Sequence, residues 1–220
     1  MSLGRVVSAV FGAAVALACL IAADTPSSFT SSRESLLKTF QAGNYKDAYE
    51  GFRKLALDPK NDPKVVGTDL DYAISSLQQL GRDEEMDEFR EAVIEVHKKN
   101  WRLLESAAQS YANTQHHGYI VAGKFYRGNK RGGGRWVNSL KRDRVRALQL
   151  MKQALEMTKT ETDKASLSQF SFHFAGMFMH GSGYHQAWQL QALTDLSQLP
   201  DYEEGYYGYR GDNHGAPVDA

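Results

Sequence analysis

Apolar side chains recur along most of this chain three and four residues apart, the spacing of one helix face, and the runs stop at glycine or proline. Leu36, Leu37 and Phe40 form the first stripe, which predicts a helix starting at Ser31 or Ser32 and stopping at Gly43. Ser31 with Glu34 three residues on fits a capping box, in which side chains satisfy the free N–H groups of the first turn. Next come Gly43, Tyr45, Ala48 and Phe52, a glycine turn followed by aromatics around a small residue. That order closes a two-helix hairpin, because alanine lets the helices approach and the rings fill the groove beside it. Pro59 ends the unit.

The pattern then recurs. Asp62-Pro63 starts a helix striped by Val66, Leu70, Ala73, Ile74, Leu77 and Leu80, with Gly81 as its stop. Asp83, Glu84 and Glu85 stand where the positive end of the next helix favours acids, and Met86, Phe89, Val93 and Val96 follow as its stripe. A further helix carries Trp101, Leu104, Ala108 and Tyr111 and ends before Gly118. From about Asp143 another runs through Val145, Leu148, Leu150, Met151 and Leu155, with Ala147 and Ala154 as its small residues. Thr160 or Thr162 is the expected cap of a helix containing Leu167, Phe170, Phe174, Met177 and Phe178. The segment Tyr184 to Leu199 reads as helical through Trp188, Leu190, Leu193 and Leu196, and Pro200 stops it.

The turn glycines 43, 81 and 118 are separated by 38 and 37 residues. A near-constant period close to the tetratricopeptide length of about 34 residues predicts an all-α fold of stacked helical hairpins, an α-solenoid. An ordinary helical bundle with similar hairpin lengths gives the same spacing. The third hairpin is interrupted between Tyr119 and Arg142, where an apolar run gives way to the loop Gly128-Asn129-Lys130-Arg131-Gly132-Gly133-Gly134-Arg135. Insertions in helical repeats project from one face, often the binding face. Tyr126, Arg127, Lys130, Arg131, Arg135 and Trp136 are therefore the expected partner surface. The organisation predicted is a targeting segment over 1–23, a linker over 24–30, a helical-repeat domain over 31–199 with a basic glycine-rich insertion at 127–142, and an irregular tail over 200–220 that leads towards a β-rich region.

Arg5 followed by an unbroken apolar and small-residue run from Val6 to Ile21, with Ala22-Ala23 before the first acid, has the form of a signal peptide. It predicts export to the periplasm or the cell exterior. An uncleaved anchor is the first alternative, the chain then touching membrane through this segment alone. Lipidation at Cys19 is the second. Cys19 is the single cysteine, so a cleaved chain has no thiol for a disulfide, a thiolate nucleophile or a zinc–thiolate site.

Equal numbers of basic and acidic side chains, 26 of each, leave no global field to draw in nucleic acid. The basic glycine loop lacks the Lys-Ser/Thr ending of a phosphate-cradling loop. His173 and His180 share a helix face with His185 just beyond, but no nearby carboxylate completes a ligand set. The adjacent His116 and His117 read as capping or packing residues. Asp201, Glu203 and Glu204 lack the alternating oxygens of a calcium loop. No cofactor is called for, and nothing places a nucleophile beside a base.

Three stretches together carry a resemblance: Gly118 to Gly128 (GYIVAGKFYRG), Arg142 to Met151 (RDRVRALQLM), and Leu193-Thr194-Asp195-Leu196 with Leu199 to Gly205 (LPDYEEG). They resemble the N-terminal helical-repeat region of large exported alpha-2-macroglobulin-like proteins of planctomycete-type bacteria. The likeness spans roughly residues 30–220. It implies a protease-trapping or envelope-protection protein in which residues 215–220 lead into β-sandwich domains. The Cys-Gly-Glu-Gln thioester of many members does not occur here, nor does a bait segment, so trapping chemistry is not carried onto any residue. The expectation is a non-catalytic interaction module whose partner is a protein segment. Its rivals are a free-standing periplasmic tetratricopeptide-type adaptor and a metal-dependent hydrolase using His173, His180 and His185.

Overall fold

The computed structural model describes residues 26–129, 133–179 and 196–204 of the chain. The signal segment, His180, His185 and the expected helix from Tyr184 as far as residue 195 lie outside them.

Helices lead the architecture. They are α1 (Pro26–Gln41), α2 (Tyr45–Ala56), α3 (Val66–Gln79), α4 (Met86–Val96), α5 (Trp101–Ala112), α6 (Leu140–Thr158) and α7 (Lys164–Met179), with one 3-10 turn (Asp83–Glu85) leading into α4. A four-stranded antiparallel sheet interrupts them: β1 (His117–Val121), β2 (Lys124–Arg127), β3 (Arg135–Asn138) and β4 (Glu203–Glu204), in the spatial order β2-β1-β3-β4. The chain is thus mostly helical with a small sheet, and the all-α expectation is corrected.

Most residues of the stripes read from the sequence form the core, while Val96 and Leu155, also expected in them, are exposed. Ala48, Phe52, Leu70, Ala73, Leu77, Met86, Val93, Leu104, Ala108, Leu148 and Met151 are buried in one cluster. α2 packs along α3, α3 along α5, and α5 along α6. Phe40 meets Tyr45 edge-on at 5.3 Å within the first hairpin, and Phe52 stacks on Tyr72 of α3 at 5.0 Å, so its aromatics pack both inside the hairpin and against the next helix. The α3–α5 approach depends on Gly67, where a Cβ would lie 2.2 Å from the Ser106 hydroxyl. Buried polar groups tie the ends. Arg33 in α1 donates from Nε to Asp69 at 2.9 Å, and Asn61 donates to Leu55 O and to Asp69, so the fully buried Asp69 is met from two elements. At the α6–α7 turn, Glu161 accepts from the backbone of Asp163 and Thr162 and from the side chains of Arg102 and Trp101, which lowers its carboxyl to about 2.

Several boundaries differ from expectation. α1 begins at Pro26, so most of the 24–30 segment expected as linker is helical and the Ser31 capping box lies inside the helix. α7 is capped by Asp163, whose Oδ1 accepts from the backbone N–H of Ala165 and Ser166, rather than by a threonine. α6 starts at Leu140 because Asn138 Oδ1 accepts its N–H at 2.7 Å. Leu196 to Leu199 are not helical.

Gly43 and Gly81 stop their helices in the left-handed conformation, at φ +79° and +65°. Gly118 does not. It sits inside β1, where a Cβ would come within 2.2 Å of Tyr126 O and 2.7 Å of the Phe125 ring. The third mark of the 37-residue spacing is therefore a strand position selected for close approach. Strands β1 and β2 join through Ala122-Gly123, both at positive φ, the two-residue turn whose twist matches a hairpin. The start of the tail expected to be irregular supplies β4.

Leu104 has no exposed surface and Phe172 is 78% exposed. Leu104→Ala is expected to lower the unfolding free energy by about 2–5 kcal/mol. Phe172→Ala should change it by less than about 0.5 kcal/mol. Urea titrations followed by circular dichroism check both.

Candidate binding cleft

Sheet register sorts the residues expected to form the partner surface. Tyr119 pairs with Tyr126 on one side and Trp136 on the other, so these three aromatics form one half-buried row across the outer face. Gly118 pairs with Arg127 and Val137, and Ile120 with Phe125 and Arg135, which puts those residues on the opposite, inner face. Arg135 reaches the sheet margin and pairs with Glu204 at 2.5 Å. Lys130 and Arg131 lie outside the described residues. Arg127 is 3% exposed and faces into the molecule, not the outer surface. A long cationic side chain at an inward strand position stays there only if carboxylates meet it.

They do. Arg127 Nη1 and Nη2 donate to the two oxygens of Asp143 at 2.9 and 2.8 Å, a side-by-side clamp. Its Nε donates to Asp87 at 3.0 Å, and Nη1 also reaches Gln115 O and Ser139 Oγ. Asp143 further accepts from Ser139 Oγ at 2.7 Å and pairs with His116 Nδ1 at 2.9 Å. One guanidinium thereby joins the end of β2 to the start of α4, the α5–β1 link and the first turn of α6. Burial alone would lower the Arg127 pKa, but the hydrogen bonds and charges of Asp143 and Asp87 raise it. Burial pushes the Asp143 carboxyl up, and the bonds from His116, Arg127 and Ser139 more than reverse this, leaving it below its ordinary 3.8.

A second set lies alongside. Arg90, fully buried in α4, donates to Asp87 and Ser110 and stands 4.0 Å from the centre of the Tyr111 ring. Tyr111 donates to Glu91 at 2.6 Å, and Arg146 of α6 clamps the same carboxylate at 2.8 and 2.6 Å. Glu91 is held below its ordinary 4.5: desolvation raises it, and the Arg146 and Tyr111 bonds outweigh that.

Between these two sets opens a cleft of about 310 Å³. Asp87, Glu91 and Tyr111 wall one side, Arg142, Asp143 and Arg146 of the α6 start another. Leu199 and Tyr202, from the strap that returns to form β4, complete it. Arg142 donates from Nη1 to Pro200 O at 2.8 Å and lies over the Tyr202 ring, which stacks on Phe125 at 4.4 Å. The strap is thus held against both helix and sheet. None of the cleft residues except Arg127 belongs to the expected surface. Their sequence signal is the two i, i+4 pairs Asp87, Glu91 and Arg142, Arg146, charges placed beside apolar stripes.

His173 Nδ1 lies 2.7 Å from Glu105 and 2.6 Å from Gln109, fixing α7 against α5. His117 stacks on Trp136, the packing role expected for it. Among the described residues no group of three histidine, cysteine or carboxylate side chains is arranged to hold a metal ion, and no helix is long and apolar enough to cross a membrane.

Fold and site together define a mainly helical domain with a small antiparallel sheet and an arginine-rich cleft at the helix–sheet junction. No protein family, no curated protein and no solved structure matches the chain.

Removing one partner of a buried ion pair leaves the other charge stranded. Arg127→Met is therefore expected to cost about 3–5 kcal/mol of stability, read from urea midpoints. The acid dependence has a definite sign. Asp143 and Glu91 are depressed in the folded state, so their contribution is full above the ordinary carboxylate values of 3.8 and 4.5 and is lost as pH falls through the lower folded-state values. Thermal melts between pH 6 and about 2.5 should show native stability falling below roughly pH 4, more gently in Asp143→Asn.

Proposed function

We propose that this chain is a non-catalytic interaction module of an exported protein, its helices a tetratricopeptide-like frame and its partner a protein segment. The observation that carries the reading is the cleft itself. Its charged walls are mutually tied by named ion pairs, which makes it a preformed, fixed surface. The likeness of the three sequence stretches to alpha-2-macroglobulin-like proteins supports placing the module at the N-terminus of a protease-trapping or envelope-protection protein. Two of those stretches, Gly118 to Gly128 and Arg142 to Met151, contain Arg127 and Arg142-Asp143 with Arg146, and the third contains Leu199 and Tyr202. The resembling residues therefore coincide with the junction and its cleft.

The N-terminal segment supplies the export part of the proposal. Expressed with that segment in a bacterial host, the protein should appear in the periplasmic fraction with its N-terminus at or near Asp24, read by intact mass and N-terminal sequencing. A full-length product confined to the cytosol overturns export. The coding sequence beyond Ala220 tests the family placement: β-sandwich domains in frame are expected, and a reading frame without them leaves the free-standing adaptor.

A further inference from the structure

We propose that the cleft between α4, α6 and the 199–202 strap binds a carboxylate carried on an apolar or aromatic body, with Arg142 as the receiving group. This deepens the interaction-module reading and rests on it. Three guanidinium groups line the cleft, and they differ in what already holds them. Arg127 is closed by Asp143 and Asp87, and Arg146 is closed by both oxygens of Glu91. Arg142 has a carbonyl, Pro200 O, and the face of Tyr202, and among the described residues it makes no ion pair.

A guanidinium presents five N–H donors in a planar fork, so one bond to a carbonyl leaves the group with donors for a bidentate acceptor. The Tyr202 ring packs against the Arg142 guanidinium at 4.8 Å, a contact that leaves its donors open, and no carboxylate pairs with it among the described residues. The carboxylates already in the cleft do not supply that compensation, since Asp87, Glu91 and Asp143 each accept from another arginine. Glu203 pairs with Lys141, and Asp83 packs against Gly128 and does not line the cleft.

The remaining walls set the body of the ligand. Tyr111, Leu199 and Tyr202 contribute apolar and aromatic surface beside the charge. A volume of about 310 Å³ stands at the small end of ligand sites and suits one compact side chain with its carboxylate. Two sources share that chemistry: the C-terminal residue of a peptide and a free small carboxylic acid. The arrangement discriminates against an amide in place of the acid, because a guanidinium donates two charge-assisted hydrogen bonds to the two oxygens of a carboxylate, whereas an amide offers a single neutral acceptor oxygen.

Isothermal titration calorimetry on the purified protein tests this with three probes: a short synthetic peptide ending in phenylalanine as free acid, the same peptide as C-terminal amide, and phenylacetate. The free acid is expected to bind at least tenfold more tightly than the amide. Arg142→Gln should remove that preference while circular dichroism shows the fold retained. Binding of phenylacetate together with the free-acid peptide assigns the site to the carboxylate and its body. Binding of phenylacetate alone assigns it to free acids. Equal binding of acid and amide, no binding of any probe, or an acid preference that survives Arg142→Gln overturns the proposal. If Arg142→Gln does not fold, the acid–amide comparison on the native protein still decides. A protein that is exported and processed yet shows no acid preference keeps the module reading and loses this one.

Discussion

A guanidinium with almost no access to water is the constraint on which this structure turns. Desolvating a charge costs several kcal/mol, and the cost is tolerable only where geometry supplies opposite charge and fills every remaining donor. Arg127 meets that condition by drawing together Asp87 at the start of α4, Asp143 in the first turn of α6, and the carbonyl of Gln115 between α5 and β1. The sheet is therefore not an appendage on a helical frame. It is bolted to the frame at the point where the chain would otherwise pass from α5 to α6.

The same bolt positions the cleft. Asp87 is shared between Arg90 and Arg127, so α4 is held by its own buried arginine and by the sheet at once. Asp143 fixes the start of α6, and that start carries Arg142 and Arg146 into the cleft one turn apart. The strap closes the arrangement through Arg142, Tyr202 and Phe125, the last a residue of the same strand as Arg127. The fold at the helix–sheet junction and the cleft beside it thus rest on one contiguous set of charges.

How much was legible depends on which interaction decides each element. Helix stripes were legible because a period near 3.6 is local: Leu70, Ala73 and Leu77, or Leu148 and Met151, declare one face without reference to any distant residue. The glycine stops at 43 and 81 were legible for the same reason. The strands were not. Tyr119 to Tyr126 reads as an apolar run, and the turn that folds it back uses Ala122, a residue without the usual preference for positive φ. Gly118 was misread because a glycine that permits a left-handed turn and a glycine that admits a neighbouring backbone look alike in a sequence.

The amino-acid sequence by itself determined most of the described helices, the greater part of their buried faces and their order, since these follow from spacing along a single segment. Only the tertiary structure decided that His117–Val121, Lys124–Arg127 and Arg135–Asn138 form a sheet, that residues 203–204 return to its edge, and that Arg127 points inward while Tyr126 and Trp136 point out. Each of those outcomes depends on partners remote in the chain, such as Asp87 and Arg127, 40 positions apart. A charged side chain reads as exposed until the carboxylates that can bury it are brought within 3 Å by the packing of α4 and α6, and that meeting is a property of the folded chain alone.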